Sequence, residues 1–473
     1  MSTLTALARA QAYADGRAAP IATVRHLHVH ERPLVLIPLA MAGEAHAPLA
    51  ALVGTAASAP RLLVVAQPRN RDERFAFVSS LASVVLPYLD SFTALAEPIA
   101  VDRGRDVRYR FTDAPQVWVP NSSGVDFLRL LGRSTRFRTV DGEYPVEPGV
   151  PLLGRWLTFL ANAAEVPGSS LLLNAVQALG LHWATGQSSA EDASLAALLA
   201  WISPPTGMSV FEAARLAEQS APAGPATDPD FDNRVLAPLM SAASVDLPRL
   251  TEVLRDVLTP TWELMWRTLD LLRELPVGAR VAGRWDGDRD TYSAFVQHLA
   301  DGGPPQPRRD GAVAAAARLH RLENAATRYA VQRAFDDPLV MAEYRLTGAA
   351  FAGVVTLAKA DRIDDTGKRP VLRPRIMVRA AEPVRVEAGA ALTSPARPAQ
   401  KATVISITGS DVLLELSGGM GRKLVAEPGT VPEVGERLLL TTLSEAYRPG
   451  GSFPDPDQTP WTHGGPPVFD QPE

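Results

Sequence analysis

A chain of 473 residues is too long for one ordinary hydrophobic core and predicts two or three domains. Its 46% apolar and 21% charged residues fall in the globular range, and a net charge of −5 argues against indiscriminate coating of nucleic acid or anionic membrane. Cysteine is absent, which excludes disulfides, thiolate nucleophiles and cysteine-ligated metal, so any metal would have to sit on His, Asp or Glu.

The opening residues, MSTLTALARAQAYADGRAAP, lack a basic start followed by an apolar core. No later run reaches the length of a bilayer span, and a cytoplasmic protein with no membrane partner is expected. Over residues 20–95 the pattern alternates. IATVRHLHVH and RPLVLIPLA read as neighbouring strands, HAPLAALVGTAA as a short helix, PRLLVVAQ as a buried strand and ERFAFVSSLASVVLPYLDSF as a helix. VRYRFT and PQVWVP add strands, and SGVDFLRLLGRS reads as a helix opened by Ser122 or Ser123. Residues 1–150 are therefore expected to form an α/β domain.

From 151 to 345 apolar residues recur at three- and four-residue spacing, which predicts a helical domain. It is broken at SAPAGPATDPDFD and at DGGPPQPRRDG, and it ends in a long alanine-rich helix that Pro338 kinks or interrupts. Short β-like runs follow over 346–447: AFAGVVTLAKA, VLRPRIMVRA, ATVISITG, DVLLELSG, RKLVAEP and ERLLLTTL. They predict a small barrel, because closure removes exposed strand edges. The Pro/Gly-rich tail, 448–473, is expected to be extended or disordered unless Trp461 anchors it. The fold class expected is α+β multidomain: an α/β N-terminal portion, a helical middle and a small C-terminal β-barrel.

Several patterns invite chemistry. SGGMGRK, with Gly418, Gly419, Gly421 and Lys423, resembles a phosphate loop only in its glycines. The GxxxxGK spacing and the following helix are missing, so a glycine-permitted hairpin turn is expected instead. On a strand, His26, His28 and His30 would project from one face and could converge on zinc, manganese or iron with Glu44 or His46 as partner; solvated side chains are the alternative. Asp286, Asp288 and Asp290 fail the calcium-loop pattern, and Asp290 is expected to cap the next helix. Arg69, Arg71 and Arg74 stand between a strand and a helix, a place for phosphate or carboxylate, unless Asp72 and Glu73 pair with them.

The most informative surface is KRPVLRPRIMVR. Period-two alternation turns Leu372, Pro374, Ile376 and Val378 inward and holds Arg373, Arg375 and Arg379 outward, with Lys368 and Arg369 extending a basic patch toward nucleic acid. A charged exterior or protein-docking face is the alternative.

The long helix followed by FAGVVTLAKADRID and SPARPAQKATVISITGSDVLLEL makes residues 311–447 resemble the stalk and small β-barrel accessory domain of superfamily-one helicases. The Walker lysine loop and the acidic metal-holding motif of the motor are missing, so no functional residue carries over. The resemblance implies an accessory protein working beside a separate helicase or ATPase. The reading favoured from sequence is a non-enzymatic assembly or nucleic-acid-associated component, with no cofactor. A metal-dependent hydrolase built on the three histidines and a protein-only scaffold stand as alternatives.

Overall fold

The computed structural model describes residues 2–44, 47–101, 105–219, 224, 226–240, 245–367, 369–446 and 449. The fold is α+β and multidomain. Its contacts divide it into two units, Thr5–Ala326 and Thr327–Arg448, the latter joined by Ser2–Leu4.

The first unit is built on a five-stranded sheet. Its strands are β1 (Leu34–Ala40), β2 (Pro48–Gly54), β3 (Arg61–Val64), β4 (Val117–Val119) and β5 (Leu172–Asn174), in the order β3-β2-β1-β4-β5. β1, β2 and β3 form an antiparallel meander, whereas β4 runs parallel to β1 and β5 parallel to β4. All of β1 is buried, with Leu34, Leu36 and Ala40 entering one core and Val35, Ile37 and Leu39 the other. A strand covered on both faces reads as continuous apolar sequence, as LVLIPLA does.

Helices α1 (Arg71–Asp90), α2 (Ser122–Thr135) and α3 (Gly149–Ala163) supply the first core. Residues 195–202 and α4 (Leu247–Glu274) supply the second. α5 (Val281–Ala300) adds Trp285 and Tyr292 to the first.

Two local expectations are corrected here. Residues 48–54 form strand β2 and not a helix: Leu49, Ala50 and Leu52 enter one core while Ala51 and Val53 enter the other, and burial on both faces overrides alanine's helix propensity. Residues 26–30 form no strand. The N–H groups of His26, His28 and His30 are answered by side chains, those of His182, Ser170 and Gln116, in place of a partner strand.

α6 (Ala312–Asp336) leads to α7 (Pro338–Thr347). Asp337 caps α7 by accepting from Leu339 N at 2.9 Å, and Pro338 takes the first helical position, where its missing N–H costs nothing. The barrel strands are β6 (Ala350–Lys359), β7 (Arg375–Ala380), β8 (Ala391–Ser394), β9 (Arg397–Thr408), β10 (Asp411–Ser417) and β11 (Arg437–Thr441). The closed order is β6-β7-β10-β9-β8-β11, and β11 returns to β6 with Ala350 opposite Thr441. Phe351, Ile376, Val378, Leu392, Val404, Val412 and Leu414 fill the interior. Gly418, Gly419 and Gly421 all take positive φ, the conformation expected of a glycine turn. The RKLVAEP segment after them is not a strand, so the turn opens a loop and not a hairpin.

Candidate anion-binding cleft

The three histidines make separate contacts. His26 stacks on His182 at 5.7 Å between ring centroids, and His28 lies flat on Trp285 at 4.0 Å. His30 accepts the Arg32 N–H on Nδ1 at 2.8 Å, which leaves Nε2 to donate to Asp113 at 2.8 Å. Burial works against the charge on Asp113, but hydrogen bonds from His30, Ala114 N and Trp285 outweigh it and hold the carboxyl below its ordinary value. The three imidazoles do not converge, and among the described residues no three His, Asp or Glu side chains group as a metal ion would need. His46, named above as a partner for them, lies outside the described residues.

Gln116 fastens this segment to the sheet. Its Oε1 accepts from His30 N at 2.9 Å and from Trp118 Nε1 at 2.7 Å, while Nε2 donates to the carbonyls of His28 and Ser170, each at 2.9 Å. The side chain is wholly buried.

Asp288 sits inside α5 and caps nothing, and neither does Asp290, which pairs with Arg108 at 2.8 Å. Asp288 accepts from Ser169 Oγ at 2.7 Å and Ser170 N at 2.6 Å. Burial raises its carboxyl to about 7, against the bonds from Ser170 and Ser169 and the Arg284 charge. Burial lowers His28 to about 4, helped by His30 and Arg25 and opposed by Asp113.

Linkage gives these two groups opposite signs. Asp288 binds its proton more tightly when folded, so its contribution is full below its unfolded value and is lost as pH rises to about 7. His28 binds its proton less tightly when folded, so its contribution is full above its unfolded value and is lost as pH falls toward about 4. The two oppose each other in mildly acid solution. The stability of wild type minus that of Asp288→Asn, read from urea midpoints, should fall as pH rises from about 4 to about 7 and then level. A difference that grows with pH would mean that Asp288 is charged in the fold.

Four of the arginines expected to meet anions beside α1 and on the barrel, Arg69, Arg71, Arg375 and Arg379, pair with carboxylates of the same chain. Arg69 grips Glu44, with Nε 3.0 Å from Oε1. Arg71 pairs with Asp72 at 2.7 Å and donates to the Tyr144 carbonyl, while Arg74 is half-buried in the first turn of α1. Asp72 and Glu73 occupy the helix N-terminus, where an external anion would otherwise be favoured.

On the barrel the predicted parity holds, with Ile376 and Val378 inside and Arg375 and Arg379 outside. β10, however, places Glu415 opposite Arg375 and Asp411 opposite Arg379. Arg375 meets Glu415 at 3.0 Å, and that carboxylate is shared with Arg362 at 2.8 Å. Arg379 binds Asp411 through two contacts of 2.9 and 3.3 Å. Arg373 donates to the Leu372 carbonyl, Arg369 is exposed, and Lys368 lies outside the described residues. The free row of guanidiniums suggested by the alternation is therefore corrected: its two strand arginines are held by carboxylates of the neighbouring strand.

A cluster of cations without carboxylate partners lies in the first unit. Arg133, Arg136, Arg138, Arg308 and Arg309, with Ser134 and Phe137, line a cleft of about 470 Å³. None of the five pairs with a carboxylate among the described residues. Asp310, the nearest acid in sequence, faces Arg318 at 3.4 Å.

Local structure explains the geometry. α2 starts where Asn121 accepts from Gly124 N at 3.0 Å, buries Val125, Phe127 and Leu128, and ends at Arg136, whose N–H returns to the Gly132 carbonyl. The opposite wall is the proline-rich loop 303–309. Arg155 of α3 donates to Gly303 O at 2.6 Å, and Gln306 donates back to Arg155 O at 3.0 Å. Arg136, only 3% exposed, bridges the walls by donating to Gln306 O at 2.9 Å and Pro307 O at 3.0 Å.

These partners are carbonyl dipoles, which satisfy N–H groups without cancelling charge. Burial, Arg133 and Arg308 lower the Arg136 guanidinium from its ordinary value, yet arginine remains charged. The Arg136 and Arg308 guanidiniums lie 4.7 and 5.0 Å from the Phe137 ring centroid, and the ring's negative face offsets part of their repulsion. Arg136 Nη1 is buried with no hydrogen-bond partner among the described residues. The chemistry such a cleft can perform is capture of an anion, with planar forks suited to phosphate oxygens.

The reading by sequence missed these residues. LLGRSTRFR and PQPRRD each hold arginines with no carboxylate inside the arginine run, but 170 residues separate Arg136 from Gln306 and nothing in either stretch announces the other. Among the described residues no helix is long and apolar enough to cross a membrane. No family model matches the chain, and no curated protein or solved structure matches it either.

Proposed function

We propose that the chain is a non-enzymatic, nucleic-acid-associated component that holds phosphate in the arginine cleft. The observation that carries this reading is five arginines lining one cleft with no carboxylate among its lining residues. Same-sign charges gathered around one concavity raise the local potential and attract a polyanion, even on a chain whose net charge is −5. The likeness of residues 311–447 to the accessory region of superfamily-one helicases supports a place beside a separate ATPase. The histidine segment gives a metal-dependent hydrolase no comparable support, because its rings are committed to stacking and to Asp113.

Binding of DNA and RNA across a salt series tests the reading. The wild type should bind at low salt, with a log–log slope of about −3 to −4 if most of the five cations meet phosphate. Arg133→Ala/Arg308→Ala/Arg309→Ala should weaken binding at least about tenfold and flatten the slope by about 2 to 3. Arg373→Ala/Arg375→Ala/Arg379→Ala should leave both unchanged. Absence of binding at low salt, or loss confined to the barrel variant, would refute the assignment.

A further inference from the structure

A nucleic-acid backbone passing along a groove delivers its charges one phosphate at a time, and the cations that follow it are strung out along the path. The cleft has a different form. Two short segments, 133–138 and 308–309, bring their guanidiniums to the wall of a single concavity of about 470 Å³. One internal phosphodiester, with a single charge, answers little of that field. A terminal phosphomonoester has three non-bridging oxygens and close to two negative charges at neutral pH.

Resting on the reading of the cleft as a phosphate site, we infer that its ligand is the terminal phosphate of a polynucleotide. Arg133, Arg138, Arg308 and Arg309 are exposed and present forks at the rim, whereas Arg136 is the buried cation beneath them, fixed through Nε and Nη2 to the Gln306 and Pro307 carbonyls. Its remaining terminal nitrogen, Nη1, has no partner among the described residues. Phe137, 37% exposed, lines the same concavity with its ring 4.7 Å from the Arg136 guanidinium. A chain end can enter such a concavity point first. A continuous backbone has to fold back on itself to do so.

Four forms of one internally labelled oligonucleotide test this: 5′-phosphorylated, 3′-phosphorylated, hydroxyl at both ends, and circular. Wild type should bind one phosphate-ended form about tenfold more tightly than the hydroxyl-ended and circular forms, the scale of a gained set of charge-assisted bonds. Arg308→Ala/Arg309→Ala, both in an exposed loop and checked for native circular dichroism, should abolish the preference. Equal, salt-dependent binding of all four forms would overturn the end-recognition inference while leaving nucleic-acid contact in place. Failure of all four to bind would sink the functional reading, and this inference with it. Capture of free tripolyphosphate with no discrimination among the oligonucleotides would also overturn the inference and make the cleft a small-ligand site.

Discussion

Gln116→Ala should destabilise the first unit by about 4 kcal/mol, in the range reserved for loss of a buried polar hub. The substitution strips hydrogen bonds from two donors, His30 N and Trp118 Nε1, and two acceptors, His28 O and Ser170 O. Water cannot readily take their place, because Gln116 and Trp118 are both wholly buried. Each abandoned group costs about 1 to 3 kcal/mol, and partial relaxation keeps the total below their sum. Unfolding in urea, followed by tryptophan fluorescence, measures the loss. A change under about 1 kcal/mol would show that the 26–30 segment does not depend on this side chain.

Gly154→Ala should cost about 3 kcal/mol or more and should also impair the cleft. A Cβ on Gly154 would lie 2.4 Å from both Arg136 N and Thr135 Oγ1, and one on Gly132 would lie 2.8 Å from Thr158 N. The two glycines let α2 and α3 touch backbone to backbone where the arginine segment begins. Separating the helices by about an ångström would pull Arg136 from the Gln306 and Pro307 carbonyls, so ligand binding should weaken even in the fraction that remains folded. Gly287→Ala is the opposing control: it lies inside α5 with nothing within 4 Å of the added Cβ, and it should stabilise by about 0.5 to 1 kcal/mol. Equal thermal midpoints for the two variants would contradict this account of the α2–α3 crossing.

Much of the fold is legible in local pattern, because local pattern is what the solvent boundary writes. LVLIPLA is apolar throughout and is buried throughout, and the alternation around Ile376 and Val378 places the barrel interior correctly. What stays hidden depends on partners distant in sequence. The alanines of residues 48–54 favour a helix until two cores cover them. Arg375 and Arg379 look free until β10 sets Glu415 and Asp411 across from them. Those acids share the four-residue spacing of the arginines, a correspondence that has meaning only once the two strands are known to be neighbours. The cleft is the extreme case, since neither of its arginine segments carries a motif and only the α2–α3 crossing and the loop held by Arg155 bring them together.

The last barrel strand, Arg437–Thr441, completes its hydrogen-bonded circuit with the first, Ala350–Lys359. During synthesis at about 5 to 20 residues per second, the ribosome finishes every other strand at least about 1 to 5 seconds before the piece that seals them. Until Thr441 leaves the exit tunnel, two rows of backbone donors and acceptors stand open to neighbouring nascent chains. This module's most vulnerable moment therefore comes at the end of its translation.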